Sequence, residues 1–109
     1  MLRNVRRRLP LEDIVYLADQ AHVPYGERSE DELARLLASN VGFLEHAGAG
    51  AIVMGCNTSC AVAAKRGWPP ASVPIFDLIV AAAGAVRACG ARRVGVIATT
   101  ATARSGAYA

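Results

Sequence analysis

At 109 residues with a net charge of +3, the chain is long enough for one domain with a real core and too short for two. It is 53% apolar but only 6% aromatic, with abundant Ala and Gly, a composition that suits helices packed closely on a sheet better than a β-sandwich. No apolar run approaches the ~20 residues that span a bilayer, and no apolar core follows the basic start, so neither a membrane span nor a secretory leader is expected and the chain is placed in the cytoplasm.

Residues 1–9 read as the last turns of an amphipathic helix, with Leu2, Val5 and Leu9 at helical spacing and Pro10 as its stop. Arg3, Arg6, Arg7 and Arg8 supply much of the positive charge. Without interleaved aromatics they read as a solvated helix face, and no nucleic-acid partner is expected. The run 13–18, mostly apolar with β-branched residues, predicts a strand that hands over to a loop, 19–28, containing Val23-Pro24-Tyr25-Gly26. Such a loop at a strand's carboxyl end is either the rim of a ligand site or a structural turn with Tyr25 as a surface aromatic.

Ser29 and Glu32 have capping-box spacing. Leu33, Leu36, Leu37, Val41 and Leu44 then form one apolar helical stripe, ended by Gly48 and Gly50. His46, in the last turn, fits the negative end of the helix dipole. Residues 51–55 read as a buried parallel strand that delivers Cys56 to a helix start, where Asn57, Thr58 and Ser59 offer capping oxygens. A thiol there is either a small buried hydrophobe or a reactive group, since a helix N-terminus stabilises a thiolate.

That helix should run to about Lys65 and break at Gly67 and Pro69-Pro70, with Trp68 covering an edge. An extended segment near 74–76 should lead into a helix over 78–89, with Asp77 at its cap and Gly90 at its close. A last buried strand, 94–98, ends in Thr99-Thr100-Ala101-Thr102, whose hydroxyls could bind a ligand or cap a following helix. Four strands alternating with helices predict an α/β fold, a three-layer parallel sheet with flanking helices of flavodoxin-like type. Three cysteines, Cys56, Cys60 and Cys89, show no metal-ligand pairing, so reduced thiols and no metal are expected.

In a parallel sheet the loops bearing Pro24-Tyr25-Gly26, Cys56-Asn57-Thr58 and Thr99-x-x-Thr102 all open on one edge. Their order and spacing, with the Ser105-Gly106-Ala107-Tyr108 that follows, resemble the glutamate racemases of the cofactor-independent aspartate/glutamate racemase superfamily. The resemblance covers nearly the whole chain. It implies that Cys56 is one of two catalytic cysteines, that Tyr25, Gly26, Asn57 and Thr58 bind substrate, and that Thr99 and Thr102 line the pocket. It further implies interconversion of L- and D-glutamate for peptidoglycan, with neither metal nor organic cofactor.

The family's Asp-Ser-Gly-x-Gly-Gly loop would precede Met1, and its second domain, with the other cysteine in Gly-Cys-Thr-His, would follow Ala109. Cys60, one helical turn beyond Cys56, and Cys89, at the opposite sheet edge, are expected to be core or surface thiols. Residues 1–109 thus read as a partial first domain, inactive or nearly so alone, whose partners are glutamate and either a missing second domain or a second copy. Two other readings stand beside it: a non-catalytic module that binds a small acid or a protein, and another superfamily enzyme such as a hydantoin racemase or malonate decarboxylase.

Overall fold

The computed structural model describes residues 1–108. Its elements are α1 (Leu2–Arg8), α2 (Glu30–His46), β1 (Ile52–Met54), α3 (Asn57–Arg66), β2 (Ile75–Asp77), α4 (Leu78–Ala88) and α5 (Thr100–Arg104), with single 3₁₀ turns at Gln20–His22 and Tyr25–Glu27. β1 and β2 pair in parallel, with Ile52 opposite Ile75, Val53 opposite Phe76 and Met54 opposite Asp77. The class is α/β, a parallel sheet with flanking helices, as the alternation predicted.

Two of the four predicted strands do not form. Residues 13–18 and 94–98 run as irregular chain, with Ile14, Val15, Tyr16, Val94, Val96 and Ile97 exposed. β-branched composition expresses a preference for a pleated, half-buried surface, and a strand forms only beside a neighbour that takes its backbone hydrogen bonds. Neither run has such a neighbour among the described residues. Val53 and Phe76, side by side on one face of the β1–β2 pair, are likewise exposed.

The core lies on the other face. Leu37 and Val41 of α2 meet Ile52 of β1 and Ala63 of α3, with Leu44, Met54, Trp68 and Ile75 packed around them. A second cluster joins Cys60 and Ala61 of α3 to Ile79 of α4, and Trp68 and Met54 touch both. Trp68 therefore links two core clusters, a larger role than covering an edge.

Local chemistry sets the helix boundaries. Ser29 caps α2 by accepting from the Glu32 N–H at 3.3 Å, but the Glu32 carboxylate is taken by Arg28 instead of returning to the Ser29 backbone, so only half of the capping box is made. His46 donates from Nδ1 to the Gly42 carbonyl at 2.7 Å in the last turn. Asp77 caps α4, accepting from the N–H groups of Ile79 at 2.6 Å and Val80 at 3.2 Å. Glu30 and Asp31 at the head of α2 pair with Lys65 and Arg66 at the tail of α3, exposed contacts worth at most about 1 kcal/mol each.

With ion pairs this weak, stability rests on the apolar clusters. Leu37, 2% exposed, should cost about 2–5 kcal/mol when cut to Ala. Phe43, on the same helix and 56% exposed, should change stability by less than about 0.5 kcal/mol. Urea unfolding followed by far-ultraviolet circular dichroism checks the pair, and equal midpoint shifts would contradict this placement of the core.

Candidate functional site

β1 ends at Met54, and Gly55 and Cys56 carry the chain into α3. Cys56 is the N-cap residue, with extended backbone (φ −110°, ψ 113°) and a half-buried side chain. Its carbonyl accepts from the Cys60 N–H at 3.0 Å, closing the first helical turn. Asn57, Thr58 and Ser59 were expected to supply capping oxygens, but they lie inside the helix, and no side chain caps α3. Their oxygens have other partners. Thr58 is buried and its hydroxyl meets that of Thr99 at 3.3 Å, while Asn57 Oδ1 accepts from the Tyr108 hydroxyl at 2.7 Å. The N–H groups of this first turn have no partner within the helix, and the helix dipole adds positive potential there.

Thr99 belongs to the site and to the scaffold at once. As N-cap of α5 it accepts from the Thr102 N–H at 3.4 Å, and its hydroxyl also meets Thr102 Oγ1 at 3.1 Å. Thr58, Thr99 and Thr102 thus form a continuous chain of hydroxyls, with Thr58 and Thr102 buried and Thr99 open to solvent. Gly26 packs against the same residue, since a methyl group at its Cα would stand 3.5 Å from Thr99 Cβ.

Tyr25 is held by a network that single residues in the sequence do not announce. Its hydroxyl donates to Asp19 Oδ2 at 2.6 Å and accepts from Asn40 Nδ2 at 3.0 Å, while His22 Nδ1 donates to Asp19 Oδ1 at 2.7 Å. Burial pushes the phenol up to about 12, with the Asp19 carboxylate adding to it and the nearby Cys56 charge a smaller share. Hydrogen bonds from Tyr25 and His22 hold the Asp19 carboxyl below its ordinary range. Asn40 had a signal in the sequence: seven residues after Leu33 and three after Leu37, it is a polar residue on the apolar stripe of α2.

The structure therefore draws the three motif loops together. Thr58, Thr99 and Thr102 are joined by hydrogen bonds, Gly26 faces Thr99 with room for a methyl group between them, and Cys56 and Asn57 stand with Thr58 at the head of α3. The other thiols are elsewhere. Cys60 is wholly buried, donates to the Met54 carbonyl at 3.8 Å, and is pushed up to about 11 by burial. Cys89 is exposed at the far end of α4, bonded to the Val86 carbonyl at 3.1 Å. Among the described residues no group of His, Cys, Asp and Glu could hold a metal ion, and no helix is long and apolar enough to cross a membrane.

The Asp/Glu/Hydantoin racemase family model matches residues 1–109. A glutamate racemase from Desulforudis audaxviator is 44% identical over 110 residues, covering 100% of this chain and 40% of that protein. The solved glutamate racemase of Aquifex pyrophilus superposes with a TM-score of 0.85 at 43% identity, over 98% of this chain and 43% of that one. That of Francisella tularensis, solved in complex with D-glutamate, gives 0.84 at 34% identity, over 98% of this chain and 40% of that one. The chain spans about 40% of the length of the curated relatives it matches.

Two measurements check this geometry. Brief treatment with iodoacetamide at mildly alkaline pH, read by peptide mass spectrometry, should label Cys89 and Cys56 and spare Cys60; labelling of Cys60 in the folded chain would contradict its burial. Tyr25 holds its proton more tightly folded than unfolded, so it contributes stability below pH 10 that is lost as pH rises toward 12. Asp19→Asn removes a carboxylate that favours the neutral phenol and should move the Tyr25 phenolate absorbance to lower pH, shrinking this alkaline loss relative to the parent chain. An unchanged titration would break the proposed coupling.

Proposed function

Because the chain belongs to the Asp/Glu/hydantoin racemase family, we propose that it carries one proton-transferring half of a glutamate racemase site, with Cys56 as the acid/base group. The observation that supports this reading is the position of Cys56: a half-buried thiol at the head of α3, next in the chain to Asn57 and Thr58, whose side chains bond to Tyr108 and Thr99. Racemisation removes the α-proton from one face of an amino acid and returns a proton to the other. A Cys56 thiolate takes the proton on its face. The first-turn N–H groups of α3, with Asn57 and Thr58, bind the substrate carboxylate and stabilise the charge that develops as the Cα–H bond breaks.

Tyr25, Gly26, Thr99 and Thr102 form the rest of the pocket wall. The Tyr25 phenol, kept neutral by burial and by Asp19, offers the substrate a rigid hydroxyl face. No metal or organic cofactor enters this scheme, because a thiolate beside a cluster of hydrogen-bond donors is the whole of the apparatus it uses. The opposite face of the substrate needs a second acid. Cys60 is sealed in the core and Cys89 stands at the end of another helix, so that acid lies beyond residues 1–109. The product, D-glutamate, would serve peptidoglycan synthesis in the cytoplasm.

The test is NMR of the ¹⁵N-labelled chain titrated with L- and D-glutamate in ordinary water, with exchange of the substrate α-proton followed separately in deuterated water. Shifts should concentrate at Tyr25, Gly26, Asn57, Thr58 and Thr99. Deuterium should enter Cα slowly and without inversion, and Cys56→Ser should abolish exchange while leaving the shifts. Inversion by the Cys56→Ser chain, or no shifts at millimolar glutamate, would overturn the proposal. Stronger shifts with a hydantoin or with malonate would move the substrate to another member of the superfamily.

A further inference from the structure

We propose that Tyr108 is a positioning residue that holds the Asn57 side-chain amide in place at the substrate pocket. This rests on the reading of Asn57 as a carboxylate-binding residue. A primary amide has a carbonyl oxygen and an NH₂ group on one planar carbon, so turning it over exchanges an acceptor for a pair of donors. Facing the substrate, the NH₂ would bind a carboxylate and the oxygen would bind an ammonium. Left free at a half-exposed position, the group would sample both.

In this structure the amide is held by a residue 51 positions away. The Tyr108 hydroxyl donates to Asn57 Oδ1 at 2.7 Å, and Nδ2 has no partner among the described residues. A phenol hydroxyl can donate or accept, and donating to Oδ1, as it does here, it leaves the NH₂ as the part of the amide open to a ligand. It then adds two donors to the N–H groups at the head of α3, and the cluster becomes one of donors suited to negative charge.

The phenol ring is itself anchored. Tyr108 packs with Ala107 against the cluster of Cys60, Ala61 and Ile79, in the layer under the same helix that carries Asn57 on its first turn. The ring and the amide are therefore both tied to α3, and their separation is set by packing instead of by the loop between them. The substitution Tyr108→Phe keeps the ring and its packing and removes only the hydroxyl.

The test compares the parent chain with Tyr108→Phe in three ways. In the ligand-free ¹⁵N-labelled protein, the side-chain NH₂ signals of Asn57 should shift and flip faster in the variant, while the backbone signals of α3 stay in place. Affinity for glutamate should fall about threefold to tenfold, the usual value of one hydrogen bond, whereas affinity for 4-aminobutyrate, which lacks the α-carboxylate, should be unchanged. In the Asn57→Ala background, Tyr108→Phe should have no further effect on glutamate binding. Unaltered Asn57 side-chain signals, or equal losses for both ligands, would overturn the positioning role. Should the parent chain fail to bind glutamate, the function proposed above falls, and the ligand-free NH₂ signals still decide whether Tyr108 holds the amide.

Discussion

The rest of the molecule depends on the burial of α3. Six consecutive residues, Thr58 through Ala63, are buried, so this helix is enclosed on every side along its first two turns. α2, α4, α5 and β1 all pack against it. Ordinary surface helices bury one stripe and show polar residues on the other. A helix enclosed all round must be narrow if four neighbours are to reach it, and Ser59, Cys60, Ala61 and Ala63 make it so. Rigidity at the site follows, because the residue that opens α3 is Cys56. A group placed at the end of an element that cannot shift is held more closely than one on a free loop.

Enclosing a helix start has a cost, since hydroxyls and unpaired N–H groups are brought out of water with it. The loops answer that cost. Thr99 reaches the buried Thr58 hydroxyl, Tyr108 reaches Asn57, and among the described residues no buried side-chain nitrogen or oxygen is left without a partner. The first of these bonds also ties the Thr99 loop to α3, while the Tyr25 loop is held by Asp19 and by Asn40 of α2. Satisfying the buried Thr58 hydroxyl and placing the Thr99 loop are therefore one contact.

Much of this was legible in the sequence where the signal is local. The stripe of α2, the Asp77 cap of α4 and the break at Gly67 are fixed by side chains within a few residues of one another, and they stand where periodicity and capping rules put them. The three loops were expected to group because a parallel sheet sends all its strand ends one way, but the Tyr25 and Thr99 loops follow runs that form no strand, and the Thr58–Thr99 hydroxyl contact is what ties the last loop to α3. What failed was non-local. Residues 13–18 and 94–98 have strand composition, yet pairing is a property of two segments, and one segment's residues cannot supply it. Glu32 was matched to Ser29 by spacing and bonds to Arg28 instead, a competition between a neutral backbone donor and a guanidinium that charge decides. Asp19, Asn40 and Tyr108 were not expected as partners of Tyr25 and Asn57 for a related reason. Each bonds to its partner across 6 to 51 positions in the chain, and spacing within one segment does not reveal such a pairing.

The three cysteines show how little residue type decides by itself. Cys60 lies one turn along the same helix as Cys56, yet burial holds its proton and the Met54 carbonyl takes its S–H. Cys89 is open to solvent but sits at the C-terminal end of α4, with its S–H bonded to the Val86 carbonyl. Only Cys56 combines partial exposure with the N–H end of a helix and with neighbours, Asn57 and Thr58, whose side chains bond to Tyr108 and Thr99. One residue further, Asn57 is still half-buried and bonded to Tyr108, and from Thr58 to Ala63 every residue of α3 is buried. Where β1 stops therefore decides which side chains stand at the open head of α3 while the helix behind them ties them to the core.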